Sequence, residues 1–346
     1  MIRDGLDFVY TPQVIFRADA RWLYGREPVL RRMPDGSLFC TVYSGGPREP
    51  HNDNVVLGTR SDDDGMTWSA PEVLFHHRAR AAWATELFTG GEHPCLFVHT
   101  FDAASHYTEL KTFRTFSKDS GRTWSEPTTL PGGFSTVSMR QGIILHDGAW
   151  LFPVYWHDVL GHWNWLQGGT DTDANFWRFR CGAVRSNDQG VTFTIHGNLM
   201  AECHLWEPNV VEIAPNHLVM LMRAEGVPVK YRAESHDGGV TWTAPAPTTI
   251  PDANSKITLF MRNGKLLMLH NPSSQPGWLQ RTSLELWSSD DGGATWPNKR
   301  VLVKACEPDR VICYPHGFID EARGSLYVAC DTSREHYFFR VPLGDL

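Results

Sequence analysis

One short turn pattern, Ser-x-Asp-x-Gly-x-Thr followed by an aromatic residue, occurs five times in this chain: at Ser61 to Trp68, Ser117 to Trp124, Ser186 to Phe193, Ser235 to Trp242 and Ser289 to Trp296. The copies begin 56, 69, 49 and 54 residues apart. Chance rarely reproduces five constrained positions five times, so one supersecondary unit is being repeated. The pattern has a mechanical reading. Asp hydrogen-bonds backbone amides ahead of it, Gly takes positive φ, and the Thr-aromatic pair re-enters a strand with its ring free to pack.

Between these turns, three runs rich in β-branched and aromatic residues recur in order and read as strands. The first unit has Pro28–Met33, Ser37–Ser44 and Asn54–Ser61; the fourth has Pro208–Ile213, His217–Arg223 and Val229–Ser235. The fifth has Lys256–Met261, Lys265–His270 and Thr282–Ser289. Pro34-Asp35-Gly36 and Asn263-Gly264 suit tight hairpins within two of these units. A sixth unit, with strands near Tyr314–Ile319, Ser325–Cys330 and Tyr337–Val341, ends before a turn pattern appears. Its fourth strand is expected from the N-terminal run Phe8–Phe16, which closes the ring and removes exposed edges. The expected fold is therefore all-β: a six-bladed β-propeller of four-stranded antiparallel blades, one domain over residues 1–346.

Composition narrows the function. The net charge of −7, with basic residues scattered, excludes a nucleic-acid groove or an anionic membrane surface as the expected partner. Seven dispersed cysteines without a CxxC pair argue against a disulfide framework or a zinc site, and no His/Cys/Asp cluster has ligand spacing, so neither metal nor cofactor is expected. The N-terminus lacks an apolar signal-like run, which predicts a cytoplasmic chain; oligomeric state is left open.

Blade topology sorts the candidate residues. If the repeated turns mark one face, residues before a first strand or between second and third strands share the other. Arg26, Glu49, Asp53, Glu207, Arg223, Arg281 and Tyr314 all meet that condition, with His51 and His316 flanking the same rim. Taken singly, each arginine reads equally well as a surface ion pair, Tyr314 as a packed strand aromatic, and Glu49 or Asp53 as a turn cap. An aromatic-rich excursion, His157–Trp177, falls between the second and third strands of unit three and is expected to overlie the same face as a sugar-stacking wall or a contact surface.

These features resemble the sialidase (neuraminidase) superfamily with repeated Asp boxes, over nearly the whole chain. Gly25-Arg26-Glu27-Pro28-Val29-Leu30 is similar to the family's Phe-Arg-Ile-Pro segment, with Glu27 in place of isoleucine. Glu207-Pro208-Asn209-Val210 with Leu218 to Arg223 resembles the segment carrying the family's glutamate and second arginine. Arg281-Thr282-Ser283-Leu284 resembles the third arginine's context, and Cys313-Tyr314-Pro315 that of the nucleophilic tyrosine. The family's acid/base aspartate has no identical counterpart; Glu49 or Asp53 stands near its place.

The resemblance implies an exo-glycoside hydrolase acting on a carbohydrate with a carboxylate. Arg26, Arg223 and Arg281 would hold the sugar acid, Tyr314 would be the nucleophile with Glu207 as its base, and Glu49 or Asp53 would be the acid/base. Two other readings stay open. A polysaccharide lyase or unusual hydrolase would act on a uronic acid with His51 or His316 as base, and a non-catalytic propeller would only bind carbohydrate.

Overall fold

The computed structural model describes residues 1–105, 107, 109–132, 136–157 and 179–346. They form six antiparallel sheets whose inner strands contact those of the next sheet around a closed ring, a six-bladed β-propeller with almost no helix. Among the described residues no helix is long and apolar enough to cross a membrane.

Blade one runs outward through Arg26–Arg32, Leu38–Ser44, Val55–Ser61 and Glu72–Phe75. Blade four does so through Leu205–Ala214, His217–Ala224, Val229–Ser235 and Ala246–Pro251. In blade three the first strand is interrupted: Ser138–Met139 and Ile143–Ile144 each pair with Trp150–His157. The expected excursion after His157 lies outside the described residues.

The N-terminal run divides rather than acting as one strand. Gln13–Arg17 pairs with Glu335–Phe338 as the outer strand of blade six, closing the ring as expected. Leu6–Phe8 pairs instead with Val303–Ala305 and widens blade five. The intervening Pro12 has no amide hydrogen to give to a ladder, which suits a break between two strands.

Each Asp-containing turn is a closed network. In the first, Ser61 Oγ donates to Asp63 Oδ1 at 2.9 Å, while the carboxylate accepts Thr67 N at 2.8 Å and Thr67 Oγ1 at 2.6 Å. The same bonds recur at Asp119, Asp188, Asp237 and Asp291. The turns also lock blades together. Trp68 packs edge-on against Phe338 of blade six at 5.8 Å, and Trp124 lies tilted against Phe39 of blade one at 5.9 Å. Apolar clusters between adjacent blades complete the core, for example Leu30, Cys40 and Leu57 of blade one with Tyr327 and Phe338 of blade six.

Candidate active site

Three innermost strands open with the same irregularity. A β-bulge separates Arg26 from Val29, Trp206 from Asn209 and Cys313 from His316. Within each bulge one residue has positive φ: Glu27 at 47°, Glu207 at 45° and Tyr314 at 50°. Each is followed by proline, Pro28, Pro208 or Pro315, which has no amide hydrogen to leave unpaired where the ladder is broken. A bulge redirects a side chain, and here all three enter one cavity of about 430 Å³ at the mouth of the central channel, on the face opposite the Asp-containing turns.

Arg26, Arg223, Arg281 and Glu49 line the same cavity. Arg26 Nε lies 3.3 Å from Glu49 Oε2, and its Nη1 lies 3.9 Å from the buried Asp331. Arg223, at the end of the second strand of blade four, donates to Glu207 Oε2 at 3.3 Å and to Glu225 Oε2 at 2.7 Å. Arg281 is only 4% exposed and donates through Nη2 to the Asn254 carbonyl, while its Nε and Nη1 are buried without a hydrogen-bond partner. Unspent donors on a buried guanidinium suit an anion that arrives with its own oxygens. The Trp278 ring lies within cation–π reach of two of these cations, 4.2 Å from Arg26 and 4.8 Å from Arg281.

The acidic groups are set apart in proton affinity. Burial raises the affinity of Glu207, but Arg223, Arg140, Arg281 and Lys256 outweigh it and bring the carboxyl down to about 2. Tyr314 moves the other way: burial and then the Glu207 charge push the phenol well up, against the pull of the arginines. Desolvation at the cavity wall likewise lifts Glu49 above the ordinary glutamate range, although its side chain stays 31% exposed and Arg26 and the Tyr107 hydroxyl pull it down. The site thus combines an ionised carboxylate, a neutral phenol and a carboxyl biased toward its protonated form. Pairs of groups driven apart in this way suit acid and base roles.

Other sequence candidates fall elsewhere. The Asp53 side chain is 78% exposed and faces His51, whose Nδ1 is 3.4 Å away; neither lines the cavity. His316, two residues along the strand from Tyr314, points to the axis one layer deeper. Its Nδ1 accepts the Leu30 amide at 3.1 Å, and Arg31 and Glu86 enclose it. Burial and the Arg31 charge hold it well below the ordinary histidine range, so it is a neutral core group.

Sequence reasoning passed over the cavity floor. Glu27 accepts Trp83 Nε1 at 2.8 Å, pairs with Arg140 and lies 3.6 Å from Lys256 Nζ. Trp83, Tyr155 and Trp206 form walls. The signal for Glu27 was present: Glu27-Pro28 repeats Glu207-Pro208 at the equivalent place in another blade.

The model of the BNR repeat-like domain matches residues 28–328. Over 293 residues the chain is 23% identical to a sialidase of Bacteroides fragilis, a match covering 72% of this chain and 50% of that protein. The chain therefore spans about half the length of that relative. It is 22% identical over 310 residues to a sialidase of Clostridium perfringens, covering 80% of this chain and 73% of that one. Among solved structures, the Hadza microbial sialidase Hz136 superposes with a TM-score of 0.78 at 18% identity, over 97% of this chain and 69% of the other.

Proposed function

The chain belongs to the BNR repeat-like domain family, and from that premise we propose that it is a sialidase-like exo-glycoside hydrolase that releases a terminal sugar acid with retention. The observation that carries this reading is the meeting of Tyr314, Glu207 and three arginines in one cavity. Guanidinium forks bind a carboxylate bidentately and stay charged at every working pH. A neutral phenol approaches an anomeric carbon that bears a carboxylate without the repulsion a second carboxylate would meet, the tyrosine route by which sialidases depart from other retaining glycosidases.

In the first step Tyr314 Oη bonds to the anomeric carbon as the bond to the leaving oxygen breaks. Glu207, kept ionised by the cations around it, takes the phenolic proton. Glu49, its proton affinity lifted by desolvation at the cavity wall, gives its proton to the leaving oxygen. In the second step Glu49 takes a proton from water, the water oxygen bonds to the anomeric carbon, and the tyrosyl bond breaks as Glu207 returns its proton. Glu49 is preferred to Asp53 because it lines the cavity and Asp53 does not. No histidine is among the described residues lining that cavity, which favours hydrolysis over a histidine-based lyase reaction.

The test is turnover of aryl glycosides of sialic and uronic acids by the chain and by Tyr314→Phe. Release of a free sialic acid by the first, with loss of most of that activity in the second, is expected. Sialoside hydrolysis unchanged in Tyr314→Phe overturns the nucleophile, and an unsaturated uronate product overturns the hydrolase reading. Binding without turnover of any glycoside would make the propeller a carbohydrate-binding module.

A further inference from the structure

On the opposite face, where blade four turns into its Asp-containing loop, the sheet assembles three side chains that are 17 and 2 residues apart in sequence, His217, Glu234 and His236. The ladder pairs Leu218 with Ser235 and Val219 with Glu234. One step further along, His217 stands across from His236, and alternation puts Glu234 on the same side of the sheet. The two imidazole rings lie 4.2 Å apart, His217 Nε2 is 2.7 Å from Glu234 Oε2, and one donor atom from each residue falls within 4.8 Å of the others.

From this juxtaposition we infer that His217, Glu234 and His236 form a binding site for a divalent transition-metal ion of the zinc class. Two imidazoles and one carboxylate are a borderline donor set suited to zinc, cobalt or nickel, whereas calcium and magnesium favour all-oxygen shells. Three protein ligands leave a fourth position for water. The carboxylate is already oriented: its other oxygen accepts Arg232 Nε at 2.9 Å, and Arg232 Nη2 donates to the Gly292 carbonyl of the neighbouring blade's turn at 3.0 Å. Bonds of about 2.0–2.1 Å need donors roughly 3.4 Å apart, so metal binding opens the 2.7 Å contact between His217 and Glu234 and draws in the exposed His236. The metal would fasten Ser235 and Asp237, which build the turn, to the start of the preceding strand. This site is independent of the reading of the upper cavity.

The test titrates zinc by calorimetry into the chelator-treated full chain, with cobalt absorption as a second readout. One ion per chain, a cobalt spectrum of low-symmetry coordination and a rise in melting temperature with zinc are expected. His236→Ala, at an exposed position, should keep the fold by circular dichroism yet weaken binding by about tenfold or more. His217→Ala should do the same, and His146→Ala, at a separate pair with Glu212, should leave binding unchanged. Absence of binding at micromolar zinc, equal affinity in His236→Ala, or loss confined to His146→Ala would each overturn the assignment.

Discussion

Glu49 is tied to Arg26 across the mouth of the cavity, its Oε2 3.3 Å from Nε, while its Oε1 accepts the Tyr107 hydroxyl at 3.0 Å. The group proposed to donate the proton is therefore held by a cation proposed to hold the substrate. A substrate carboxylate that engages Arg26 draws off part of the charge that keeps the Glu49 proton affinity down. With those two roles, binding would prime the acid.

Glu49→Gln is expected to lower kcat by about 10²–10⁴ with alkyl leaving groups and much less with acidic phenols, which depart without help. The pH profile supplies the sign. Activity needs Glu49 protonated, so it falls as pH rises through a pKa lifted above the usual glutamate value. That alkaline limb should vanish in Glu49→Gln. A rate loss independent of the leaving group would remove Glu49 from the acid role.

Arg281→Ala is expected to reduce kcat/KM for a sialoside by roughly a hundredfold or more, because a buried charge-assisted contact to the carboxylate is lost. Esterification of the substrate carboxylate should produce a similar loss in the wild type and little further loss in the variant. Additive losses would place Arg281 away from that group.

Stability offers a separate check in Lys230 and Asp252, whose charged ends meet at 2.8 Å with both side chains fully buried. Asp252→Ala, which strands the lysine, should cost about 3–5 kcal/mol in urea unfolding. The paired change Lys230→Met with Asp252→Leu should recover most of that cost. Equal losses in both variants would mean that packing, not charge, dominates there.

Two glycines separate backbone strain from crowding. Gly65 has φ of 91° and a Cβ placed there would lie 2.0 Å from Phe338, whereas Gly264, with φ of 79°, has open space around it. Gly264→Ala should cost about 1–2 kcal/mol and Gly65→Ala roughly twice that, since overpacking is added to the left-handed penalty. Thermal or urea melts decide the ordering.

The repeated turns made the blades legible, because each carries its own hydrogen-bonding residues in fixed order. Strand limits in blades one, four and five follow the runs read from sequence to within a few residues. What sequence could not give was depth along the channel. Tyr314 and His316 share the side of a strand that faces the axis, yet only the tyrosine reaches the cavity; the histidine meets Arg31 and Glu86 one layer below. Asp53 and Glu49 share a polar loop, and nothing in its composition tells which points inward. His217 and His236 were hidden for the opposite reason, since sheet register, not sequence spacing, makes them neighbours.

The three proline-backed bulges carry a consequence for how such a site changes its chemistry. Each holds its residue at positive φ, a conformation that costs about 1–3 kcal/mol and is imposed by the strand whatever the side chain, since Glu27, Glu207 and Tyr314 all adopt it. The propeller thus provides interchangeable sockets around one axis, with the backbone strain already borne by the scaffold. Replacing the residue ahead of a proline would exchange the proposed base, the proposed nucleophile or the floor carboxylate while the blades stay as they are.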